Sequence, residues 1–258
     1  MDIVSVPGPA GKIVVEDSGG NGAPVLFTHS LAGNAAQWAP QAAHLRGARR
    51  TIAIELRGHG RSAPPAGGDY TIGAMAGDVG AVADALGLER FALVGHSLGG
   101  SVALEYAGAH SDRVTALALI DSNGDAREIP RAEVDGFFAA LESNYAETID
   151  RFWSNIAGTD AAVRQRLMDD LRATPRETVL HAMRDVFRYD PNPALAAWRG
   201  PTICVVTPNN DQPFSLHRLG AGLPYRVIAG TGHWIQLERP DAVNAVLDEL
   251  LATPSGAR

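Results

Sequence analysis

Residues 91–100 read Phe91-Ala92-Leu93-Val94-Gly95-His96-Ser97-Leu98-Gly99-Gly100, a continuous apolar run that ends in a Gly-x-Ser-x-Gly turn. The run 91–94 is short, apolar throughout and closed by glycine, as a parallel strand buried on both faces should be. Over 100–110 the apolar residues Val102, Tyr106 and Ala107 recur at helical spacing, so the turn joins a strand to a helix. A serine on so sharp a turn has its hydroxyl exposed, and glycines two before and two after it, here Gly95 and Gly99, let the two elements approach. The start of the helix adds free backbone amides and a positive dipole end. Ser97 is therefore the candidate nucleophile.

On either side of this decapeptide, short apolar runs recur at 13–15, 25–28, 51–54, 114–120, 202–206 and 225–228, and helical patterns alternate with most of them. One such helix, 74–86, carries Met75, Val79, Val82 and Leu86 three or four apart and meets Gly87 as its terminator. The alternation predicts an α/β fold, a mostly parallel sheet with helices on both faces. It breaks once, over 122–200, where helical stretches such as 134–143 and 163–171 replace strands. The expected organisation is a core of 1–121 and 201–258 with a helical cap, 122–200, inserted into it. Aromatic residues of that insertion, Phe137, Phe138, Tyr145, Phe152, Trp153 and Phe187, are candidates both for packing and for lining a cleft over Ser97.

The chain has 258 residues, 45% hydrophobic and 20% charged, the composition of an ordinary globular protein, with a length an α/β fold can hold in one domain. Its net charge of −7 argues against nucleic acid, which calls for clustered Lys and Arg. Cys204 is the one cysteine and lies in an apolar run, which suggests a buried inert thiol rather than a metal or redox site. The start lacks a basic segment followed by an apolar stretch, and no run approaches 18 apolar residues, so a cytoplasmic protein without a membrane partner is expected.

A serine hydroxyl needs a base to take its proton and a third group to orient that base. Of eight histidines, His233 is the best placed, because it follows the last strand-like run in the loop Gly230-Thr231-Gly232, ahead of a terminal helix over 241–251. His96 points the wrong way along the turn, His29 and His59 suit hydrogen bonding within their own loops, and His44, His110, His181 and His217 read as surface residues of helices. The orienting carboxylate is expected at another strand end. Asp211 follows the run 202–206 and supplies the chain order serine, acid, histidine; Asp121, directly after Ile120, competes with it. Two backbone donors are needed for a developing oxyanion, and the amides of Leu98 and Leu31 are the candidates.

Taken together, the Gly95–Gly100 elbow, the loop Arg57-Gly58-His59-Gly60-Arg61-Ser62, the Gly232-His233 pair followed by Glu238 and Pro240, and Asp211 resemble the α/β-hydrolase superfamily along nearly the whole chain. The resemblance implies Ser97, His233 and Asp211 as a triad, Leu31 and Leu98 as oxyanion donors, and no cofactor. It implies a hydrolase of carboxylic esters working through an acyl-enzyme. Lactonase, carbon-carbon bond hydrolase and cofactor-free haloperoxidase or perhydrolase activities keep the same triad, and a slowly turning small-molecule receptor is the alternative of another class. Ser30 replaces the family's usual glycine and, with Leu31-Ala32-Gly33 and the stretch through Tyr70-Thr71-Ile72, is similar to the enol-lactonase branch. Glu55 stands where an Asp is common. Ser30, Trp38 and Trp234 are the candidate substrate-binding side chains, and the expected partner is a small-molecule ester or lactone, bound by a monomer or homodimer.

Overall fold

The computed structural model describes residues 1–219 and 222–252. Its strands are β1 (Asp2–Gly8), β2 (Gly11–Asp17), β3 (Val25–Thr28), β4 (Thr51–Glu55), β5 (Phe91–His96), β6 (Val114–Ile120), β7 (Thr202–Val206) and β8 (Tyr225–Val227). They form one sheet in the order β1-β2-β4-β3-β5-β6-β7-β8, antiparallel at β1/β2 and β2/β4 and parallel from β4 onward. Side chains alternate across it: Leu26, Ile52, Ile54, Leu93, Leu117 and Leu119 enter one apolar layer, while Phe27, Ala53, Val94, Ala118, Ile120 and Val205 enter the other. Burial on both faces explains why these strands read as unbroken apolar runs. Cys204 belongs to the first layer, where burial pushes its thiol up to about 12, so it is an inert core residue.

The helices that cover the sheet are α1 (Ala39–Leu45), α2 (Ile72–Ala85), α3 (Leu98–Ala109) and, at the far end of the chain, α11 (Pro240–Ala252). Residues of α2 and α3 fill one apolar layer and those of α1 and α11 the other. The α2 helix starts two residues before the expected 74 because the Thr71 hydroxyl accepts the Ala74 amide and caps it. The strand β1 was not evident from periodicity: it is an edge strand in which only Val6 is fully buried and Ile3 is 62% exposed.

Between β6 and β7 the chain is helical, with α4 (Arg131–Ser143), α5 (Tyr145–Ile156), α6 (Ala161–Ala173), α7 (Arg176–Val186) and α8 (Asn192–Ala197), and two short helices, α9 (Leu216–Leu219) and α10 (Ile235–Glu238), lie in the loops after β7 and β8. Among the described residues no helix is long and apolar enough to cross a membrane. The Arg57–Ser62 loop is internal scaffolding. Arg57 makes a buried bidentate pair with Asp78 at 2.6 and 2.7 Å, and Glu55 pairs with Arg61 at 2.7 Å.

Candidate active site

Ser97 sits between β5 and α3 with φ 53° and ψ −118°, a strained turn, and at 7% exposure it lines a cavity rather than standing in open solvent. Its amide donates to the Ile120 carbonyl at 3.0 Å, so β6 buttresses the elbow. The glycine requirement is literal. A Cβ on Gly95 would overlap the Gly99 carbonyl, and one on Gly99 would overlap the carbonyls of Thr28 and His29.

The acid that meets His233 is Asp121. Its Oδ2 accepts from His233 Nδ1 at 2.7 Å, and its Oδ1 accepts from the Thr207 amide at 2.7 Å and from Asn210 Nδ2 at 3.1 Å. Asp121 is 2% exposed and holds φ 40°, with its amide on the Val205 carbonyl at 2.6 Å. The expectation for Asp211 is corrected. After β7 a 3₁₀ turn, Pro208–Asn210, capped by the Thr207 hydroxyl, carries Asp211 away, and its carboxylate is taken by Arg218 at 2.8 and 2.9 Å and by His217 at 2.9 Å. Those partners, Arg218 before His217, lower its pKa to about 2. The β7 loop thus gives the site donors, Thr207 and Asn210, while the acid comes from the end of β6. His217 is correspondingly buried at 4% exposure, not on the surface.

Because His233 Nδ1 donates to a carboxylate, Nε2 is the nitrogen left to accept a proton. Ser97 and His233 line one cavity of about 180 Å³. Ser97 Oγ and His233 Nε2 bond neither each other nor any other protein group among the described residues, and the amides of Leu31 and Leu98 donate to none. His96 braces this arrangement: its Nε2 donates to the His233 carbonyl at 2.8 Å and its Nδ1 accepts from Gln236 at 3.0 Å. Burial, with His233 nearby, holds the His96 pKa well below the usual histidine value, which keeps the His96 ring neutral.

The cavity walls are Ser30, Leu31, Leu98, Asn123, Trp234, Phe152, Trp153 and Ile156 of α5, Met183 and Val186 of α7, and Phe187. Of the expected substrate-binding side chains, Ser30 and Trp234 line it. Ser30 Oγ is engaged locally, accepting from Trp234 Nε1 at 3.1 Å and reaching Gln37 Oε1 at 3.2 Å. Trp38 does not line it: the side chain is fully buried against Phe27, ring centroids 5.1 Å apart, because its helical turn faces the opposite apolar layer. Phe137, Phe138 and Tyr145 likewise lie outside the cavity, with Phe137 and Phe138 packed on Phe187. Asn123, Ile156, Met183 and Val186 had no sequence signal beyond their place in the helical segment or after a strand. His29 and His59 hold their loops: the Leu56 amide donates to His29 Nε2 at 3.0 Å, and His59 Nδ1 meets the Arg57 carbonyl at 3.0 Å. Among the described residues no group of three or more His, Cys, Asp or Glu side chains is placed to hold a metal ion.

Comparison with known proteins agrees with the fold. The family model described as the alpha/beta hydrolase fold matches residues 23–240. The dihydrolipoyllysine-residue acetyltransferase component of the acetoin cleaving system of Pseudomonas putida is 31% identical over 245 residues, 89% of this chain, which spans 63% of that relative's length. Among solved structures, an N-acyl homoserine lactone degrading enzyme superposes with a TM-score of 0.85 at 26% identity, covering 95% of this chain and 99% of its own. A thermophilic esterase from Thermogutta terrifontis superposes at 0.81, also 26% identical, covering 97% and 98%. The chain belongs to the α/β-hydrolase fold family.

Proposed function

We propose that this protein is a serine hydrolase of carboxylic esters, lactones included. The observation that carries the reading is the Asp121–His233 pair at 2.7 Å, set in the same cavity as a serine on a strained elbow. In the proposed reaction Ser97 Oγ attacks the acyl carbon while His233 Nε2 takes its proton, and Asp121 stabilises the imidazolium and fixes its tautomer. The amides of Leu31 and Leu98 receive the oxyanion, each contributing about 10²-fold or more in rate. The tetrahedral intermediate collapses, the alcohol departs with the proton from His233, and water, deprotonated by His233, releases the acid and restores Ser97. In a lactone the alcohol remains tethered to the acid, so the same steps apply. The named activities of the 26%-identical structures, an esterase and a lactone-degrading enzyme, support this substrate class. On this reading the α4–α8 segment is the cap, and its α5 and α7 side chains make the apolar wall against the acyl group. The test is covalent labelling with a fluorophosphonate mapped by mass spectrometry, together with turnover of an ester and lactone panel. Label on Ser97, and sustained turnover lost in Ser97→Ala, are expected. A single turnover with a long-lived acyl-enzyme on every substrate would favour the receptor alternative.

A further inference from the structure

The cavity holds one polar side chain that the proposed chemistry leaves idle. Asn123 lines it two residues beyond Asp121. Its Nδ2 is buried without a hydrogen-bond partner, and its side-chain oxygen bonds no protein group among the described residues. The other polar groups of the cavity are committed. His233 Nδ1 is on Asp121, Trp234 Nε1 on Ser30 and Ser30 Oγ within its own loop, while Ser97 Oγ, His233 Nε2 and the two free amides serve the reacting carbonyl. The remaining walls are apolar.

The backbone around Asn123 is tied on both sides. Asn210 Nδ2 donates to the Ser122 carbonyl at 3.1 Å, the Asp125 amide donates to the Phe214 carbonyl at 2.9 Å, and a Cβ on Gly124 would overlap that same carbonyl. Nδ2 itself has no accessible surface, and a half-turn of the terminal amide about χ2, which exchanges it with the side-chain oxygen, presents the donor to the cavity. An orphaned buried amide on a fixed backbone is unfavourable until a ligand satisfies it, and it discriminates against ligands that cannot. We infer that the Asn123 side-chain amide donates to a second acceptor oxygen of the substrate, next to the scissile ester, so that the preferred substrates are alkoxy- or oxo-substituted esters rather than plain aliphatic ones. This rests on the acyl-transfer reading above and adds to it a specificity-determining residue.

Two isosteric pairs test it: 4-nitrophenyl methoxyacetate against 4-nitrophenyl butyrate places an ether oxygen on the acyl side, and 2-methoxyethyl butyrate against butyl butyrate places it on the alcohol side. In at least one pair, the wild-type kcat/KM ratio is expected to exceed the ratio for hydroxide hydrolysis, and Asn123→Ala and Asn123→Leu should each lower it by about threefold to tenfold. Asn123→Ser, which keeps a donor, should retain more of the ratio than Asn123→Ala. If wild-type ratios equal those for hydroxide in both pairs, or if the variants slow both members of each pair equally, the inference is overturned while the hydrolase reading stands. If the wild type hydrolyses none of the four esters and Ser97 takes no fluorophosphonate, the hydrolase reading fails and this inference falls with it.

Discussion

The backbone amide of His233 donates to the Ile156 carbonyl at 2.7 Å, which ties the loop bearing the candidate base to the last residue of α5. Two residues on, Gly158, with φ +71°, lies against Gly232, and the Gly232 amide donates to Glu238 Oε1 at 2.8 Å. A Cβ at 158 would overlap both the Glu238 carboxylate and the Gly232 backbone. Gly158→Ala should therefore displace the His233 loop, lowering ester kcat about tenfold or more, and it should also carry the cost of a left-handed alanine, about 1 kcal/mol. Steady-state kinetics and urea unfolding on the purified variant check both. An unchanged kcat would mean that the contact between α5 and the His233 loop does not position the base.

Asp121 and Asp211 are separated by the same logic. Asp121→Asn keeps the shape but not the charge that orients His233, so kcat is expected to fall by about 10²-fold to 10⁴-fold. Asp211→Asn loses only its bonds to Arg218 and His217 and should keep kcat within about threefold. Parallel kinetics on one ester decide between them, and a larger loss in Asp211→Asn would reverse the assignment.

Acid lability should begin near pH 6.5. Burial lowers the pKa of His29 to about 4 and that of His59, with His29 beside it, to about 3. His29 Nε2 already accepts the Leu56 amide, so protonation there would break that bond. Below pH 6.5 the unfolded chain binds protons that the native state refuses, so stability falls with pH until the folded-state pKa is reached. At about 1.4 kcal/mol per unit, His29 alone accounts for a loss of roughly 3 kcal/mol between pH 6.5 and 4. Urea midpoints measured from pH 8 to 4.5 should be flat above 7 and decline below 6.5. A flat profile down to pH 5 would contradict neutral burial of both rings.

Gly99→Ala should cost about 3 kcal/mol or more, because the added Cβ meets backbone carbonyls of β3 and the loop after it, which a rotamer change cannot move. Gly73, where a Cβ meets nothing within 4 Å, is the control. Gly73→Ala lies in α2 and should stabilise by up to about 1 kcal/mol. Thermal unfolding of the pair checks the contrast, and equal midpoints would show that the elbow is not as tightly packed as Gly99 indicates.

Much of this was readable along the chain. The strands β3 to β7 announced themselves because both faces are buried, which forces unbroken apolar runs, and the elbow was visible because overlap between backbone segments admits only glycine at 95 and 99. His233 could be found from its place in a glycine-flanked loop after the last strand. These signals are each written in one contiguous stretch of chain and so are legible in the sequence alone, although the carbonyls that crowd Gly99, those of Thr28 and His29, come from a distant strand and the loop after it. Which carboxylate serves His233 is not local: Asp121 and Asp211 both follow parallel strands, and the choice depended on a 3₁₀ turn that sends one side chain to Arg218 while the other meets a histidine 112 residues away. Trp38 and Trp234 divided in the same way, one into the core and one onto the cavity, as the layer each loop faces is set by packing. Asn123 is the extreme case. A free amide is defined by the partners it lacks, and only the assembled tertiary structure brings together every group that could have satisfied it.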